Sequence, residues 1–534
     1  MNKHFGGIRL LLPVFLVAMW GLVVIAHAEA QAIQVTVDAS KTGAKIDRNI
    51  FGQFAEHLGH GIYDGIWVGP DSKIPNTRGI RKDVVAALKA IKVPNVRWPG
   101  GCFGDEYHWR KGIGAADKRA ISLNPNWGGV TEPNTFGTHE FLDFIEQIGS
   151  EAYVSVNIGS GTPQEAADWL EYMTSAQGTT LGQERAANGH AAAYKIKYLG
   201  MGNESWDCGG NMTPEYYLQQ MKIYSRFVRN FNPEQQEKER MLKIAVGPGG
   251  DGPRWTDWTE TIMKAYASHT WSWEMNGLSL HNYTVLNWEH KYPSTDFGES
   301  DYAKVLQNTL EMDGLINKHA AIMDKYDPQK KVALVVDEWG GWYAPLAGSN
   351  PGFLVQQNSL RDAVLAALNL NIFARHADRV RMANIAQMIN VLQAMILTDK
   401  EKMVATPTYY VFKMYVPFQD ATFVPVKFDA GEYKNGDVTL PRVDAIAAKD
   451  ANGKLWLAVT NVDPNRAADV ELNVAGVTAK GASGETLTAA KVDSVNTFDA
   501  PNTVVPKAIS AKAAGGKLTL KLEPKSVTVV SLEQ

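Results

Sequence analysis

The chain has 534 residues, a formal net charge of −4 and two cysteines, Cys102 and Cys208. This mildly acidic balance gives no electrostatic ground for binding nucleic acid or an anionic membrane surface. Two thiols cannot build a disulfide framework, and the length exceeds one ordinary domain and points to two.

Residues 1–28 open with Lys3 and Arg9, continue through an apolar run over 10–25, and end in Ala26-His27-Ala28. That pattern predicts a secretory signal peptide and a secreted or periplasmic protein; an uncleaved anchor helix is the alternative. Ile33, Val35 and Val37 alternate with polar residues, so 31–38 reads as a half-buried strand. From residue 49 the pattern changes. Strand-like runs at 50–56, 93–101, 152–158, 196–202, 243–247, 277–283, 331–338 and 379–389 are interleaved with helix-like runs at 81–91, 138–148, 163–172, 213–230 and 357–376. Thr162-Pro163 and Thr213-Pro214 read as helix starts, a capping hydroxyl followed by proline at the first helical position.

Eight short apolar strands interleaved with helices predict an α/β fold, a (β/α)8 TIM barrel over 49–400. The fifth strand is the faintest, because it runs straight into Gly247-Pro248-Gly249-Gly250. After about residue 405 the helical period disappears. Signals such as Asp450-Ala451-Asn452-Gly453 between two apolar runs predict a C-terminal antiparallel β-sandwich. Strand 31–38 has no place in a parallel barrel, so 29–48 and 401–534 are expected to form that second domain together. The 15 tryptophans read either as sugar-stacking surfaces or as ordinary packing.

In such a barrel the loops after the strands make one face, and ligands bind there. The polar residues expected on it are Glu56, Arg97, Asn203, Glu204, His281, Tyr283, Glu338 and Gln387. Each alone reads equally as a salt-bridged rim residue; eight converging point to a site. Glu204 and Glu338 close strands four and seven, across the ring from one another. Two inward carboxyls about 5–5.5 Å apart are the geometry of a retaining glycosidase, one donating a proton and one attacking the anomeric carbon. Spacing leaves open which does which.

Phe54-Ala55-Glu56-His57-Leu58-Gly59, Arg97-Trp98-Pro99-Gly100-Gly101, Gly202-Asn203-Glu204-Ser205-Trp206 and Asp337-Glu338-Trp339 together resemble glycoside hydrolase family 51, the α-L-arabinofuranosidases. His281-Asn282-Tyr283 and Ala383-Asn384-Ile385-Ala386-Gln387 extend the resemblance over nearly the whole chain beyond residue 28. The resemblance implies a retaining exo-glycosidase with Glu204 as acid/base and Glu338 as nucleophile. It implies that Asn203 binds the sugar 2-hydroxyl, that Glu56 and Gln387 hold further hydroxyls, and that Tyr283 sits against Glu338. Arg97 would keep Glu338 ionised, His281 would support this polar shell, and Trp127 and Trp342 would wall the substrate. Many family members carry Asn where this chain has Cys102, and a thiol is a poorer hydrogen-bond partner, so sugar contact there is less well founded. Cys102 follows strand two and Cys208 lies four residues past Glu204, so both are expected on one face, as a disulfide or as two buried thiols.

This chemistry calls for no cofactor and no metal. His57 and His60 suggest a ligand pair for a metal-dependent hydrolase, yet no His-Glu-x-x-His accompanies them. A non-catalytic carbohydrate-binding protein has no need of two facing glutamates. Within the same chemistry the alternative is an endo-β-1,4-glucanase or β-xylosidase, since specificity resides in loops. The expected partners are arabinose-containing polysaccharides and oligosaccharides of the plant cell wall, arabinan and arabinoxylan among them, with no nucleic acid and, after signal cleavage, no membrane. The resemblance also implies a homo-oligomer, often a hexamer.

Overall fold

The computed structural model describes residues 32–176, 178–232, 240–515 and 517–533. The expected signal peptide lies outside the described residues. Among those residues no helix is long and apolar enough to cross a membrane.

Eight parallel strands close into a barrel: Gly52–Phe54, Asn95–Trp98, Glu151–Val156, Tyr198–Met201, Leu242–Ala245, Gly277–Thr284, Ala333–Gly341 and Val380–Ile385. The eighth pairs back onto the first, with Asn384 opposite Gly52. Helices cover the outside and side chains fill the inside, so these strands carry almost continuous apolar runs. Tyr153, Tyr198, Ile244, Val335 and Met382 pack together within the ring. Toward the strands' C-terminal ends the interior turns polar, beginning where the Tyr153 hydroxyl donates to Asp337 Oδ2 at 2.6 Å.

The capped starts form as the local chemistry dictates. Thr162 accepts from the Glu165 amide ahead of helix Pro163–Thr174, and Thr213 from that of Tyr216 ahead of helix Pro214–Phe227. Helix Thr138–Ile148 ends at Gly149, whose φ of 71° is the left-handed conformation glycine adopts freely. Helices Thr180–Ala187, Pro253–Ala267 and the 28-residue Glu299–Tyr326 add to the expected set. The last escaped the hydropathy pattern because its buried stripe includes the polar Thr309 and His319. The expectation that helix ends by about residue 405 is corrected by helix Pro407–Met414, capped by Thr406. Eight residues are too few to establish a period.

Helix Leu360–Arg375 is buried from Leu360 to Ala374, on every face, as expected of an element enclosed on all sides. Asn371 and Arg375 on it each donate to Asp444 at 2.8 Å. Asp444 belongs to strand Val443–Lys449 of a six-stranded sheet. A four-stranded sheet made of Val426–Phe428, Ile33–Asp38, Ala468–Ala475 and Leu518–Leu522 shares an apolar core with that six-stranded sheet. Pairing in both sheets is antiparallel with one exception: Ile33–Asp38 runs parallel to Ala468–Ala475, with Val35 opposite Leu472.

Candidate active site

A cavity of about 690 Å³ opens at the C-terminal ends of the barrel strands, and its wall includes Glu56, Cys102, Trp127, Glu204, His281, Tyr283, Glu338, Trp342 and Gln387. Glu204 sits just past the fourth strand with φ of 38°, a left-handed conformation that costs a non-glycine residue free energy. The turn after it holds it there. The Asp207 and Gly209 amides both donate to its carbonyl, at 2.7 and 3.1 Å. Position 209 must be glycine, because a Cβ there would lie 1.7 Å from the Asn203 carbonyl oxygen.

Glu338 reaches the site through an irregularity in the seventh strand. Ser279 pairs with Val335 and His281 with Glu338, so three steps on the seventh strand answer two on the sixth. On the other side Val336 pairs with Ala383 and Trp339 with Ile385, again three steps against two. The extra residue is a bulge, and it lets Asp337 and Glu338 both face inward where a regular strand would send them to opposite faces.

The carboxylates are held by a dense set of donors. Glu338 Oε1 accepts from the Tyr283 hydroxyl at 2.7 Å and Oε2 from Arg97 at 2.9 Å. His281 Nδ1 lies 2.9 Å from Glu204 Oε1 and 3.2 Å from Glu338 Oε2, while its Nε2 faces Asp337 at 3.3 Å. Burial alone would lower the pKa of His281, but Glu338, Asp337 and Glu204 outweigh it and push it up to about 10. The imidazole is therefore a cation at neutral pH. Burial and the nearby Glu338 raise the pKa of Glu204 against the opposing pull of His281 and Arg97. Burial would also raise Asp337, but Arg97, His281 and Tyr153 bring it below its ordinary value. One oxygen each of Glu204 and Glu338 lie within 4.8 Å of each other. Inverting pairs stand roughly 6.5–9.5 Å apart to admit a water, so this closeness fits the retaining geometry.

Glu56 forms the other wall. Its Oε1 accepts from the Gly101 and Phe103 amides and from Trp127 Nε1, at 3.0, 3.2 and 2.8 Å, and its Oε2 from Gln387 at 2.8 Å. Burial, reinforced by Glu338, pushes it up to about 7 despite these donors. Trp127 sits at the tip of the hairpin Ser122–Asn124 and Val130–Glu132. Trp342 meets Tyr283 edge-on, with centroids 4.8 Å apart.

Two residues expected at the site stand back from the cavity wall. Arg97 does not line the cavity: it is buried behind Glu338, spending its donors on Glu338, on the Asp337 carbonyl and on Asn203 Oδ1. Asn203 is also set back from the wall, with Oδ1 taken by Arg97 at 2.6 Å and Nδ2 facing Cys208 Sγ at 3.7 Å. Cys102 and Cys208 are joined as a disulfide, the first of the two states left open by the sequence. The His57–His60 pair is drawn apart: the buried His57 has Nδ1 on Glu132 at 2.9 Å and Nε2 accepting from Trp98 at 3.2 Å, while His60 faces Asp64.

Three functional residues were missed. Asp105 accepts from the Asn203 amide at 2.8 Å and from those of Ile158 and Gly159 at 2.7 and 2.9 Å, tying the loops after strands two, three and four together. Burial pushes it up to about 7, against those donors and Arg97. Asp337 anchors Tyr153 and faces His281 from below. Trp206, with its Nε1 on the Gly247 carbonyl, walls the outer cavity beside Trp255. Nothing in sequence marked Asp105 as buried or Trp206 as wall rather than core.

Residues 87–276 match the family model described as alpha-L-arabinofuranosidase 1 domain, and residues 337–526 that of the alpha-L-arabinofuranosidase C-terminal domain. A Bacteroides ovatus protein named intracellular exo-alpha-L-arabinofuranosidase is 46% identical over 502 residues, 93% of this chain and 95% of that one. The crystal structure of an arabinofuranosidase of family 51 from Xanthomonas axonopodis pv. citri is 50% identical, with a TM-score of 0.90 over 94% of this chain and 100% of the other. An arabinose complex of the Thermotoga maritima alpha-L-arabinofuranosidase is 30% identical, with a TM-score of 0.81 and the same coverage. The expectation of export is corrected by the Bacteroides relative, which is named intracellular.

Proposed function

The chain belongs to glycoside hydrolase family 51 and is an α-L-arabinofuranosidase, and from that premise we propose the division of labour among its carboxylates and the range of its substrates. Glu204 is the acid/base and Glu338 the nucleophile of a retaining, exo-acting hydrolysis of terminal α-L-arabinofuranosides. The observation that carries this is the shared imidazolium of His281, which contacts both carboxylates while only Glu338 also accepts from Arg97 and Tyr283. An acid needs an environment that keeps its proton; a nucleophile needs one that keeps its charge.

In the first step Glu338 attacks the anomeric carbon and Glu204 gives its proton to the departing glycosidic oxygen. The product of this step is a β-linked arabinosyl ester on Glu338. In the second step Glu204, now ionised, takes a proton from water as the water attacks the same carbon, and the freed sugar keeps the α configuration. Arg97 and Tyr283 compensate the charge that Glu338 carries before attack and recovers after release. Asn203, its Oδ1 fixed by Arg97 and one Nδ2 hydrogen toward Cys208 Sγ, donates its other Nδ2 hydrogen to the 2-hydroxyl. Glu56 and Gln387 bind further hydroxyls, and Trp127 and Trp342 close over the ring. Arabinan, arabinoxylan and arabino-oligosaccharides are the substrates this reading favours.

Azide separates the roles. With an activated aryl α-L-arabinofuranoside, Glu204→Ala still forms the β-linked intermediate, so azide attacks from the opposite face and gives the α-azide. Glu338→Ala forms no intermediate, and azide attacks the substrate directly to give the β-azide. The reverse pattern would mean that the roles are exchanged.

A further inference from the structure

The Cys102–Cys208 disulfide lies on the cavity side of the site, and nothing in the two-carboxylate mechanism uses it. Cys102 opens the short 3-10 helix Cys102–Asp105 after the second strand; Cys208 lies in the turn after the fourth, 106 residues on, with Cα atoms 5.5 Å apart. That helix is pinned at both ends. Glu56 takes the amides of Gly101 and Phe103, on either side of Cys102, and Asp105 takes the amide of Asn203. The disulfide adds a third tie, from the same helix to the turn that holds Glu204 in its left-handed conformation.

The sulfur also meets the carboxyl itself. Cys208 Sγ lies 3.8 Å from Glu204 Oε2, the oxygen that His281 does not hold, and 3.7 Å from Asn203 Nδ2. A disulfide sulfur carries no hydrogen, so it offers a carboxylate nothing and a protonated carboxyl a weak, soft acceptor. A thiol at the same place has a hydrogen to donate and favours the carboxylate. The charged groups that act on Glu204 from the neighbouring strands are His281, Glu338 and Arg97.

We propose that the Cys102–Cys208 disulfide is a positioning element for the acid/base: it seats Glu204 Oε2 against a surface that can accept a hydrogen bond and cannot give one, and so keeps the carboxyl in its acid form until the leaving group departs. Reduction, which adds two electrons and two protons and leaves two thiols, lowers the pH up to which Glu204 keeps its proton without removing the group. This rests on the assignment of Glu204 as acid/base.

The test uses the wild-type enzyme oxidised, reduced with a phosphine, and reoxidised with oxidised glutathione, beside the double variant Cys102→Ser, Cys208→Ser. One readout is the alkaline limb of kcat/KM, where activity is lost as Glu204 ionises. The other is the rate on a methyl α-L-arabinofuranoside, whose departure needs a proton donor, against a dinitrophenyl one, whose departure does not. Reduction is expected to move the alkaline limb down by about half a pH unit and so to slow the methyl glycoside about threefold at pH values on that limb, with the dinitrophenyl rate nearly unchanged and both effects reversed on reoxidation. An unmoved limb with both substrates slowed equally would overturn the proposal. Loss of the fold by circular dichroism in both the reduced protein and the double variant would overturn it too, since the bridge would then act on stability alone. Glu204→Ala keeps the two questions apart. If it fails to abolish the alkaline limb and the leaving-group dependence, the assignment falls; if it abolishes them and reduction moves neither, only the role of the disulfide falls.

Discussion

Replacing His281 by glutamine removes a buried cation from among three carboxylates and keeps a side chain of similar reach. The size of the effect follows from the site. The imidazole is raised from 6.5 to about 10 although burial works against it. At ~1.4 kcal/mol per unit this is roughly 5 kcal/mol of net preference for the charged form. Glu338, Asp337 and Glu204 share that interaction, so the part belonging to Glu204 is on the order of 1–2 kcal/mol, about one pH unit. In His281→Gln the alkaline limb of kcat/KM on an aryl α-L-arabinofuranoside should therefore rise by about one unit, because the acid loses the cation that most favours its ionised form. That is opposite in direction to the change expected on reducing the disulfide. Stability supplies a second reading of the same group. A folded-state pKa above the unfolded one contributes stability in full below about pH 6.5 and loses it as pH rises through about 10. Thermal denaturation should show the wild type ahead of His281→Gln at pH 6 by a margin that shrinks steadily toward pH 10. An alkaline limb that stayed in place or moved down, or a stability margin that did not change with pH, would refute the reasoning.

Tyr283→Phe removes one hydrogen bond to a charged oxygen, Glu338 Oε1 at 2.7 Å. Such bonds are worth roughly 1.5–3 kcal/mol, so kcat/KM should fall about 10- to 100-fold by steady-state kinetics, and a change within twofold would mean the bond plays no part. Arg97→Met leaves Asp337 and Glu338 buried without their main cation and frees Asn203 Oδ1. Stripping one partner from a buried pair costs roughly 3–5 kcal/mol, which denaturant titration should register together with near-complete loss of activity; wild-type stability would contradict the charge pairing described.

Every barrel strand was legible because each is an apolar run buried on both faces, and even the faint fifth strand, Leu242–Ala245, pairs with both neighbours. The sandwich hairpin was legible from Asp450, whose carboxylate accepts from the Asn452 and Lys454 amides, and from Gly453 at φ of 78°. Helix Glu299–Tyr326 was not, because a buried His319 bonded to Thr259 and the Gly250 carbonyl looks polar until its partners are known. The same blindness hid Asp105 and Asp337. A buried carboxylate announces itself only through donors contributed by other strands, and those become neighbours only when the ring closes. Arg97 was legible as the partner of Glu338 but its depth behind that carboxylate was not, since depth along a strand is set by which partners take its guanidinium.

The bulge in the seventh strand decides what can be transplanted. Val335 points into the ring, Val336 and Trp339 point out to the helices, and Asp337 and Glu338 both turn inward between them. Copying Asp337-Glu338 onto a regular strand of another barrel would deliver one acid to the interior and bury the other under a helix. Removing one residue between Val336 and Trp339 would take away the extra step against the sixth strand and turn one of the two acids from the site. In engineering terms, the unit to move is the irregular strand together with both neighbours that pair across it, and a scaffold idealised for stability would erase it first.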